Sequence, residues 1–429
     1  MSETVNKRTI AVIGGGIAGM TSARLLSRQH HVTVYEAGPK LGGHSNTVAV
    51  DDPRGERWVD TGFIVYNDRN YPNFERLLRE LGVATEASKM GMSMSNSDAS
   101  FEFAYTRKGM FAQRSNLVEP RFYRLIADFL RFSRDIKPLA GRADAPTIGE
   151  FMRDAGYSEW FIERVMIPQV SGVWSTGAED SADFPIGFLA EFLHNHGQLD
   201  LIRRPSWRTI AGGSRNYVAA LAASVEGRKL TSAPVHRVQR LPEGVAVYAE
   251  GHETEIYDEV LIAAHSDQAL AMLHDPTPEE TATLGAIAYQ PNETVLHTDA
   301  SVMPKRRRAW SSWNFHLSDE PIDGTAITYW MNNLQQLDAE RDYFVTLNRT
   351  DQIDPDKVCK VISYAHPVMN HSAVAAQKRW DQISGANRIH YAGAYWRWGF
   401  HEDGCWSAIR AANKLLSESV EPLELPVAA

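Results

Sequence analysis

Three adjacent residues, His401-Glu402-Asp403, place an imidazole beside two carboxylates within the stretch Gly399-Phe400-His401-Glu402-Asp403-Gly404. Such side chains serve as general acids and bases, as metal ligands, or as acids at a helix N-terminus. Adjacent side chains do not converge on one ion without ligands from elsewhere, so no metal is predicted. The run from Cys405 to Leu416 has helical character. We therefore interpret Glu402 and Asp403 as N-terminal acids of this helix and keep His401 as the candidate catalytic residue.

A glycine-rich turn near the start of the chain also has a chemical role. Gly14-Gly15-Gly16-Ile17-Ala18-Gly19 lies between an apolar run at residues 9–13 and a helical pattern. In such a unit the glycines allow a tight turn, the approach of a pyrophosphate, and close packing of helix on strand. A second strand, residues 31–35, ends in Glu36, where a carboxylate can bind ribose hydroxyls. These features predict dinucleotide contacts at Gly14, Gly16, Ile17, Ala18, Gly19 and Glu36.

The residues after the second strand carry a resemblance to a known group of proteins. Glu36-Ala37-Gly38-Pro39-Lys40-Leu41-Gly42-Gly43-His44 resembles the ExxxxxGG extension of the flavin-dependent amine oxidase superfamily, which includes protoporphyrinogen oxidases and phytoene desaturases. Asp60-Thr61-Gly62-Phe63 is similar to the superfamily's following turn beside the flavin. Further pieces keep the superfamily's order at Ala211-Gly212-Gly213-Ser214, at Val235, and at Arg388-Ile389-His390-Tyr391-Ala392-Gly393.

The resemblance implies FAD as the cofactor, bound noncovalently because no cysteine motif for attachment is visible. In this superfamily the last helix directs its N-terminus toward the pyrimidine edge of the flavin, where reduction develops negative charge. A backbone contact to adenine is implied near Val235. The further cofactor contacts that the resemblance implies are Ala37, Gly42, Gly43, His44, Thr61, Gly62, Phe63, Val235, Gly393, Glu402, Asp403, Gly404 and Cys405.

The sequence departs from the superfamily pattern at three places. Ala394 and Tyr395 stand where relatives often have an acid that holds the ribityl chain, and His44 replaces a frequent arginine. No lysine occurs in Glu293-Thr294-Val295-Leu296-His297, the strand that carries one in many amine oxidases, which argues against amine oxidation. A second dinucleotide fingerprint and a redox cysteine pair are both missing, so we expect dioxygen or an unidentified carrier as electron acceptor.

The expected fold class is α/β, a Rossmann-like FAD-binding domain of amine-oxidase type with an inserted mixed α+β substrate domain. Residues 1–69, 206–271 and 380–429 are predicted to form the FAD-binding domain. Residues 70–205 and 272–379 are predicted to form the substrate domain. Aromatic walls suit an apolar or unsaturated substrate. We predict that the substrate cavity is lined by Tyr395, Trp396, Trp398 and Phe400.

The overall pattern, including Asn292-Glu293-Thr294-Val295-Leu296-His297-Thr298-Asp299 and Trp310-Ser311-Ser312-Trp313-Asn314-Phe315, resembles a group of bacterial FAD-dependent oxidoreductases. That group is similar to the N-terminal region of plant cyclopropane fatty acid synthases. The resemblance implies an oxidoreductase that transfers a hydride from an unsaturated or modified fatty-acyl chain to the flavin. The alternatives are an amine or amino-acid oxidase, a redox-neutral double-bond isomerase, and a flavin-binding partner protein without catalysis.

Two basic segments could contact a lipid surface. The run Arg121–Phe132 has apolar residues at helical spacing on one face and basic residues on the other, which is typical of a helix packed on its own core or of one lying on a membrane. Lys305-Arg306-Arg307-Arg308 is a basic cluster in an acidic chain. Solvated turns usually explain such clusters, and phospholipid head groups are the alternative.

The totals of the chain exclude some partners. Its 429 residues carry a net charge of -9, which disfavours binding to nucleic acid. No apolar run approaches the ~20 residues that span a bilayer, and the N-terminal residues lack a signal-peptide pattern. With only Cys359 and Cys405, a disulfide framework is not expected. We expect a cytoplasmic protein with an apolar small-molecule or lipid substrate, with peripheral membrane contact and oligomeric state left open.

Overall fold

The structure is a computed structural model that describes residues 7–142, 144–174, 181–197, 199, 205–317 and 326–416. Its strands are β1 (Thr9–Ile13), β2 (His31–Tyr35), β3 (Thr47–Asp52), β4 (Gly55–Asp60), β5 (Tyr66–Asn67), β6 (Thr85–Ala87), β7 (Met92–Asn96), β8 (Glu102–Ala104), β9 (Trp207–Ile210), β10 (Gly227–Leu230), β11 (Val235–Arg240), β12 (Val245–Ala249), β13 (Glu255–Tyr257), β14 (Glu259–Ile262), β15 (Tyr289–His297), β16 (Trp313–Leu317), β17 (Ile327–Trp330), β18 (Phe344–Leu347), β19 (Val358–Pro367) and β20 (Ile389–Tyr391).

The α-helices of the described residues range from one turn to four turns. They are Ile17–Leu26, Pro72–Glu80, Pro120–Asp135, Ile148–Asp154, Glu159–Phe161, Ile167–Trp174, Ile186–Asn195, Arg215–Ala223, Ser266–Met272, Pro278–Leu284, Met331–Leu334, His371–Gln377, Trp380–Ile383 and His401–Asn413. Within the described ranges, none of the helices is both long and apolar enough to cross a bilayer.

A five-stranded parallel sheet carries the glycine-rich turn. Its strand order is β10-β2-β1-β14-β20, and every neighbouring pair is parallel. The central strand β1 and its neighbour β14 are almost entirely buried apolar runs, as expected for strands covered on both faces. The helix Ile17–Leu26 follows β1 directly and buries eight of its ten residues. This strand–turn–helix unit is the Rossmann-like arrangement expected from the sequence.

A second, seven-stranded mixed sheet has the order β19-β15-β18-β17-β16-β7-β8. All of its strands come from the segments predicted as the substrate domain, whereas the parallel sheet comes from the predicted FAD-binding segments. A small sheet, β5-β9-β6, joins the two predicted domains. Its strand β6 belongs to the predicted substrate domain and pairs with β9, which belongs to the predicted FAD-binding domain. One continuous core of buried residues runs from Ile10 of the parallel sheet to Phe315 of the mixed sheet. The exact domain boundaries stay a prediction.

The region around the predicted last helix differs from the sequence-based expectation. The helix begins at His401, four residues before the predicted start at Cys405, and ends at Asn413.

The predicted amphipathic helix extends from Pro120 to Asp135. Its buried residues include Phe122, Leu125 and Phe132, as the core interpretation requires, but Leu130 is half exposed.

Candidate functional site

A cavity of about 700 Å³ opens where the carboxyl ends of the parallel strands face the mixed sheet. The strand ends contribute Ile13, Tyr35 with Glu36, and the residues that follow β14 and β20. Strands β7, β15, β16, β17 and β19 of the mixed sheet supply residues to the same wall. Ligands of open α/β sheets bind at the carboxyl ends of the strands. This cavity is therefore the candidate functional site.

Three of the four glycines in the turn differ in what a side chain at that position would meet. Gly14 has a φ of +108°, and a Cβ there would lie 2.7 Å from the Ala263 carbonyl oxygen. A Cβ on Gly19 would lie 1.9 Å from the Gly14 carbonyl oxygen, which confirms that Gly19 lets the helix pack on the strand. A Cβ on Gly16 would meet only the Gly43 Cα, at 4.0 Å. Protein packing therefore requires Gly14 and Gly19, while Gly16 borders open space that a pyrophosphate fits.

The N-terminus of the helix Ile17–Leu26 faces this open space. Gly16 is its N-cap residue in an extended conformation and makes no side-chain capping bond. Ile17 and Ala18 line the cavity beside it. First-turn N–H groups have no acceptor within their own helix, so they are available to an anion.

The carboxylate of Glu36 lies at the edge of the same space. The Gly15 N–H donates to one of its oxygens and the Gly38 N–H to the other, each at 2.7 Å. Glu36 and Ala37 both line the cavity, and so does Val235 at the start of β11. The two backbone donors orient Glu36 while leaving further lone pairs for a ligand's hydroxyls.

Two predicted loops close over the glycine turn. The Gly42 N–H donates to the Gly15 carbonyl at 2.9 Å, and the Phe63 N–H donates to the His44 carbonyl at 2.8 Å. A Cβ on Gly62 would lie 2.2 Å from the His44 carbonyl oxygen, so only glycine fits there. Gly42, Gly43, His44, Gly62 and Phe63 line the cavity. Thr61 does not, because its hydroxyl donates to the Asn46 carbonyl at 2.9 Å.

Asp60 anchors this region. Its buried carboxylate accepts hydrogen bonds from the Ser214 N–H at 3.0 Å and from the hydroxyls of Ser214 and Thr47 at 2.7 and 2.6 Å. Burial raises the pKa of Asp60 to about 6 although these donors oppose the shift. The Gln335 side-chain amide donates to the same carboxylate at 3.0 Å. Asp60 thus connects its own loop to Ser214, which follows the glycine pair 212–213, and to Gln335, which lies between β17 and β18 of the mixed sheet.

His44 lies in a group of histidines that sequence reasoning did not bring together. Its ring stacks on Tyr364 with centroids 4.9 Å apart and lies 5.5 Å from His366 and 6.0 Å from His265. Burial, and then the neighbouring histidines, hold the pKa of His44 well below its usual range. Its buried Nε2 has no hydrogen-bond partner among the described residues. His44 is therefore a neutral imidazole with an unused polar atom, not a cation in place of arginine.

His401 lies where the loops meet the last helix. Its Nε2 is 2.8 Å from the Ser45 hydroxyl and 2.9 Å from the Tyr217 hydroxyl, and these two hydroxyls also contact each other. The ring stacks on Phe63 with centroids 3.7 Å apart and lines the cavity. Burial lowers the pKa of His401 to about 3. It is a neutral hydrogen-bonding group rather than a strong base.

Glu402 does not line the cavity, and its predicted cofactor contact stays a prediction. Its carboxylate accepts hydrogen bonds from the backbone N–H groups of Asn73 and Phe74, both at 3.0 Å, and from the Asn73 side-chain amide. These N–H groups belong to the first turn of the helix Pro72–Glu80. Burial raises the pKa of Glu402 to about 8. Glu402 therefore caps a different helix from its own.

Asp403 has the capping role that the sequence predicted. Its carboxylate accepts a hydrogen bond from the Phe400 N–H at 2.8 Å, and burial raises its pKa to about 7. Neither Asp403, Gly404 nor Cys405 lines the cavity. A Cβ on Gly404 would lie 2.7 Å from the Ile17 side chain, so this glycine lets the two helix N-termini approach each other. The Cys405 thiol is buried, 4.0 Å from the Thr21 hydroxyl.

The aromatic residues before the last helix divide into two groups. Tyr395, Trp398 and Phe400 line the cavity, as does Gly393. Trp396 is buried with its ring 5.0 Å from that of Tyr395, and it does not line the cavity, so its predicted role stays a prediction. The Trp396 ring is removed from water by packing against Tyr395 inside the protein.

The wall beyond Trp398 and Phe400 is a side-chain surface that we call the aromatic chamber. The Trp174 indole N–H donates to the Trp398 carbonyl at 3.0 Å, and the Phe192 ring lies 4.7 Å from Trp174. The Trp313 ring lies 5.2 Å from Tyr329 on the neighbouring strand. The chamber consists of Met90, Met92, Val173, Trp174, Phe192, Trp313, Tyr329, Trp398 and Phe400.

Most residues of the aromatic chamber were missed by sequence reasoning. The tryptophan pair Trp310 and Trp313 was noted, but only Trp313 lines the cavity. Alternation along β16 could have indicated one face of a strand, yet the facing element was not predictable. Among the described lining residues there is no lysine or arginine, and Glu36 at the nucleotide end is the sole carboxylate. Within the described ranges, no group of side chains is placed to hold a metal ion.

The fold and the site together are those of a dinucleotide-binding protein whose cavity extends into the aromatic chamber. Residues 17–298 match the family described as flavin containing amine oxidoreductase, and this chain belongs to that family. It is 27% identical over 256 residues to the protoporphyrinogen oxidase of Schizosaccharomyces pombe, which covers 52% of this chain and 49% of that protein. The chain thus spans about half the length of that relative.

Solved structures share the fold. Cyclohexylamine oxidase from Brevibacterium oxydans IH-35A superposes with a TM-score of 0.68 at 14% identity, covering 95% of this chain and 98% of that one. The CLA-producing fatty acid isomerase from P. acnes gives a TM-score of 0.65 at 14% identity, covering 94% and 97%. The predicted superfamily resemblance and α/β fold class are confirmed.

FAD is the cofactor of this chain, as its family shows. The residues present fit that group, because Gly16 leaves a cradle that a Cβ would fill and His44 leaves a buried polar atom unused. Gly14 to Ala18 would hold the pyrophosphate and Glu36 the ribose. The individual cofactor contacts stay predictions, including those of Thr61 and of residues 402–405, which do not line the cavity.

Proposed function

We propose that this chain is a FAD-dependent oxidoreductase that acts on an unsaturated or modified fatty-acyl or lipid chain. The aromatic chamber is the observation that carries the proposal. Its wall is made of aromatic, thioether and aliphatic groups, and the described lining residues include no cation and no carboxylate near it. A hydrocarbon chain gains from leaving water in such a site, whereas an ammonium group would lose hydration without an ionic partner.

The chemistry divides between cofactor and protein. When bound along the glycine turn, FAD would supply the hydride acceptor for dehydrogenation of the substrate chain. The protein orients the chain by apolar contact within the aromatic chamber and excludes water from the reacting carbons.

His401 has a specific part in this arrangement. Because Ser45 and Tyr217 both contact its Nε2, the ring is held in one orientation against Phe63. Its lowered pKa leaves it neutral across the physiological range, so it contributes a hydrogen bond and not a proton. The catalytic role predicted for His401 is therefore refined to orienting bound groups beside the last helix.

Anaerobic mixing of the FAD-loaded protein with oleic acid, linoleic acid and cyclohexylamine tests the proposal. We expect a fatty acid to bleach the oxidised flavin absorbance and to yield a product with two hydrogens fewer. Bleaching by the amine and not by either lipid would identify an amine oxidase. A rearranged lipid of unchanged mass without net bleaching would identify a double-bond isomerase. No response to any probe would favour a non-catalytic flavin-binding role.

A further inference from the structure

Apolar side chains are exposed on one short segment of the surface. Six large hydrophobic side chains are exposed among the described residues, and four of them, Leu117, Val118, Tyr123 and Leu130, lie within fourteen residues. Val118 is 82% exposed and Leu117 is 51% exposed, at the end of the 3-10 turn Arg114–Leu117. Tyr123 and Leu130 are seven residues apart on the helix that follows, so they share one face.

The surroundings of this segment are strongly basic. Residues 107–137 contain eight lysines and arginines and only three aspartates and glutamates, although the net charge of the whole chain is -9. Arg114 and Ser115 line a shallow depression together with Arg306, Arg307 and Arg308. The fold thus joins the basic cluster 305–308 to the exposed apolar segment, a proximity that the sequence did not show.

Part of this positive charge is not neutralised within the protein. Arg306 pairs with Glu102 at 2.8 Å and Arg307 with Asp342 at 3.1 Å. Arg114 and Arg308 have no ion-pair partner in the described part of the chain. The depression therefore presents unpaired guanidinium groups, which bind phosphate oxygens well.

The geometry points to a docking surface for an anionic phospholipid membrane, formed by Leu117, Val118, Tyr123 and Leu130 with Arg114 and Arg308. The aliphatic groups would enter the acyl boundary while the arginines bind lipid phosphates. A second copy of this chain fits poorly, because a two-fold interface would place the same arginines against each other. Nucleic acid fits poorly because its charged backbone has no apolar surface that could cover the exposed Val118 side chain.

This surface is connected to the substrate site through packed elements. Phe122 of the same helix packs on Phe103 of β8, with ring centroids 5.5 Å apart. Strand β8 pairs with β7, whose Met92 lines the aromatic chamber. The charge and the exposed side chains of the surface do not depend on the reaction, so failure of the proposed reaction would leave the membrane contact possible to detect.

Co-sedimentation of the full-length, FAD-loaded protein with lipid vesicles tests the inference. One set of vesicles is phosphatidylcholine alone, and the other is an equimolar mixture with phosphatidylglycerol. We expect binding to the mixed vesicles that weakens as salt rises, and little binding to phosphatidylcholine. Absent binding, or equal binding to both sets, would overturn the inference.

Paired variants locate the contact. The double substitutions Leu117→Ser/Val118→Ser and Arg114→Glu/Arg308→Glu should each lower the partition coefficient by about tenfold or more. Ile256→Ser/Val361→Ser and Lys360→Glu/Lys378→Glu make matched changes on exposed residues elsewhere and should leave binding within about twofold. Circular dichroism and flavin absorbance verify that each variant folds.

Two results with these variants would sink the inference. One is unchanged vesicle binding by Leu117→Ser/Val118→Ser with its fold intact. The other is wild-type protein that sediments as a dimer without lipid and becomes a monomer in that variant, because the surface would then join two copies of the chain.

Discussion

At the nucleotide end of the cavity the wall is rich in glycine, whereas in the aromatic chamber it is made mostly of residues with large side chains. Gly14, Gly16 and Gly43 bring main-chain atoms to the surface, and the carboxylate of Glu36 is fixed by main-chain N–H groups. Met92, Trp174 and Trp313 come from elements far apart in sequence. A backbone wall recognises a constant group such as a pyrophosphate, while a side-chain wall can change with the substrate.

The largest expected effect tests the backbone wall. Gly16→Val should weaken FAD binding by about a hundredfold or more, because a side chain would occupy the cradle and remove charge-assisted N–H contacts. The extended conformation of Gly16 accommodates valine, and its Cβ meets no close protein atom, so the apo-protein should keep its stability. Fluorescence titration with FAD and thermal unfolding of the apo-protein measure the two quantities.

Gly19→Ala is the matched control for that experiment. Its Cβ would collide with the Gly14 carbonyl oxygen, so the apo-protein itself should lose stability, by about 1–3 kcal/mol. If Gly16→Val destabilised the apo-protein as much as Gly19→Ala does, the distinction between a ligand-facing and a packing glycine would fail.

A charge placed in the aromatic chamber should weaken substrate binding without weakening FAD binding. Val173→Asp should lower the affinity for a fatty-acyl substrate by about a hundredfold, since an unpaired carboxylate must desolvate when the chain binds. FAD affinity should stay within about twofold, because the nucleotide end contacts different residues. Val173→Leu, which keeps an apolar side chain, is the control. Equal loss of FAD and substrate would show that the ends are not independent.

His401 lies where the two ends meet, and its pKa gives a test of intermediate size. Burial lowers the folded-state pKa to about 3, so below the unfolded value of 6.5 the unfolded chain binds a proton that the folded chain does not. This contribution to stability is present above pH 6.5 and is lost as pH falls toward 3. Relative to His401→Gln, the wild type should lose about 1.4 kcal/mol per pH unit in that range.

Chemical denaturation of both proteins at a series of pH values measures this difference. Parallel curves for wild type and His401→Gln would mean that the imidazole has the same pKa in the folded protein as in the unfolded chain. The hydrogen bonds to Ser45 and Tyr217 would then need a different interpretation.

The smallest expected effect concerns the ribose side. Glu36→Gln should weaken FAD binding by about tenfold, because an amide keeps the shape of the side chain but loses a charged acceptor. Isothermal titration of the apo-protein with FAD checks the value. An unchanged affinity would show that Glu36 serves only to hold Gly15 and Gly38.

The glycine turn, Glu36 and the two closing loops were predictable because each is a local motif whose backbone geometry depends on residues close in sequence. The parallel sheet followed from the same units. Val235 and Gly393 also line the cavity at positions implied by the superfamily resemblance. For these two residues, the order of the motifs along the chain was sufficient to predict their place at the cavity.

The sequence by itself thus determined the nucleotide end and the fold class. Only the tertiary structure decided that Glu402 caps the helix Pro72–Glu80, that Trp398 lines the cavity while Trp396 does not, and that the cluster 305–308 meets Arg114. These outcomes depend on contacts between elements up to hundreds of residues apart. The side of an element on which a residue lies is set by the register and packing of its neighbours, which no local pattern specifies.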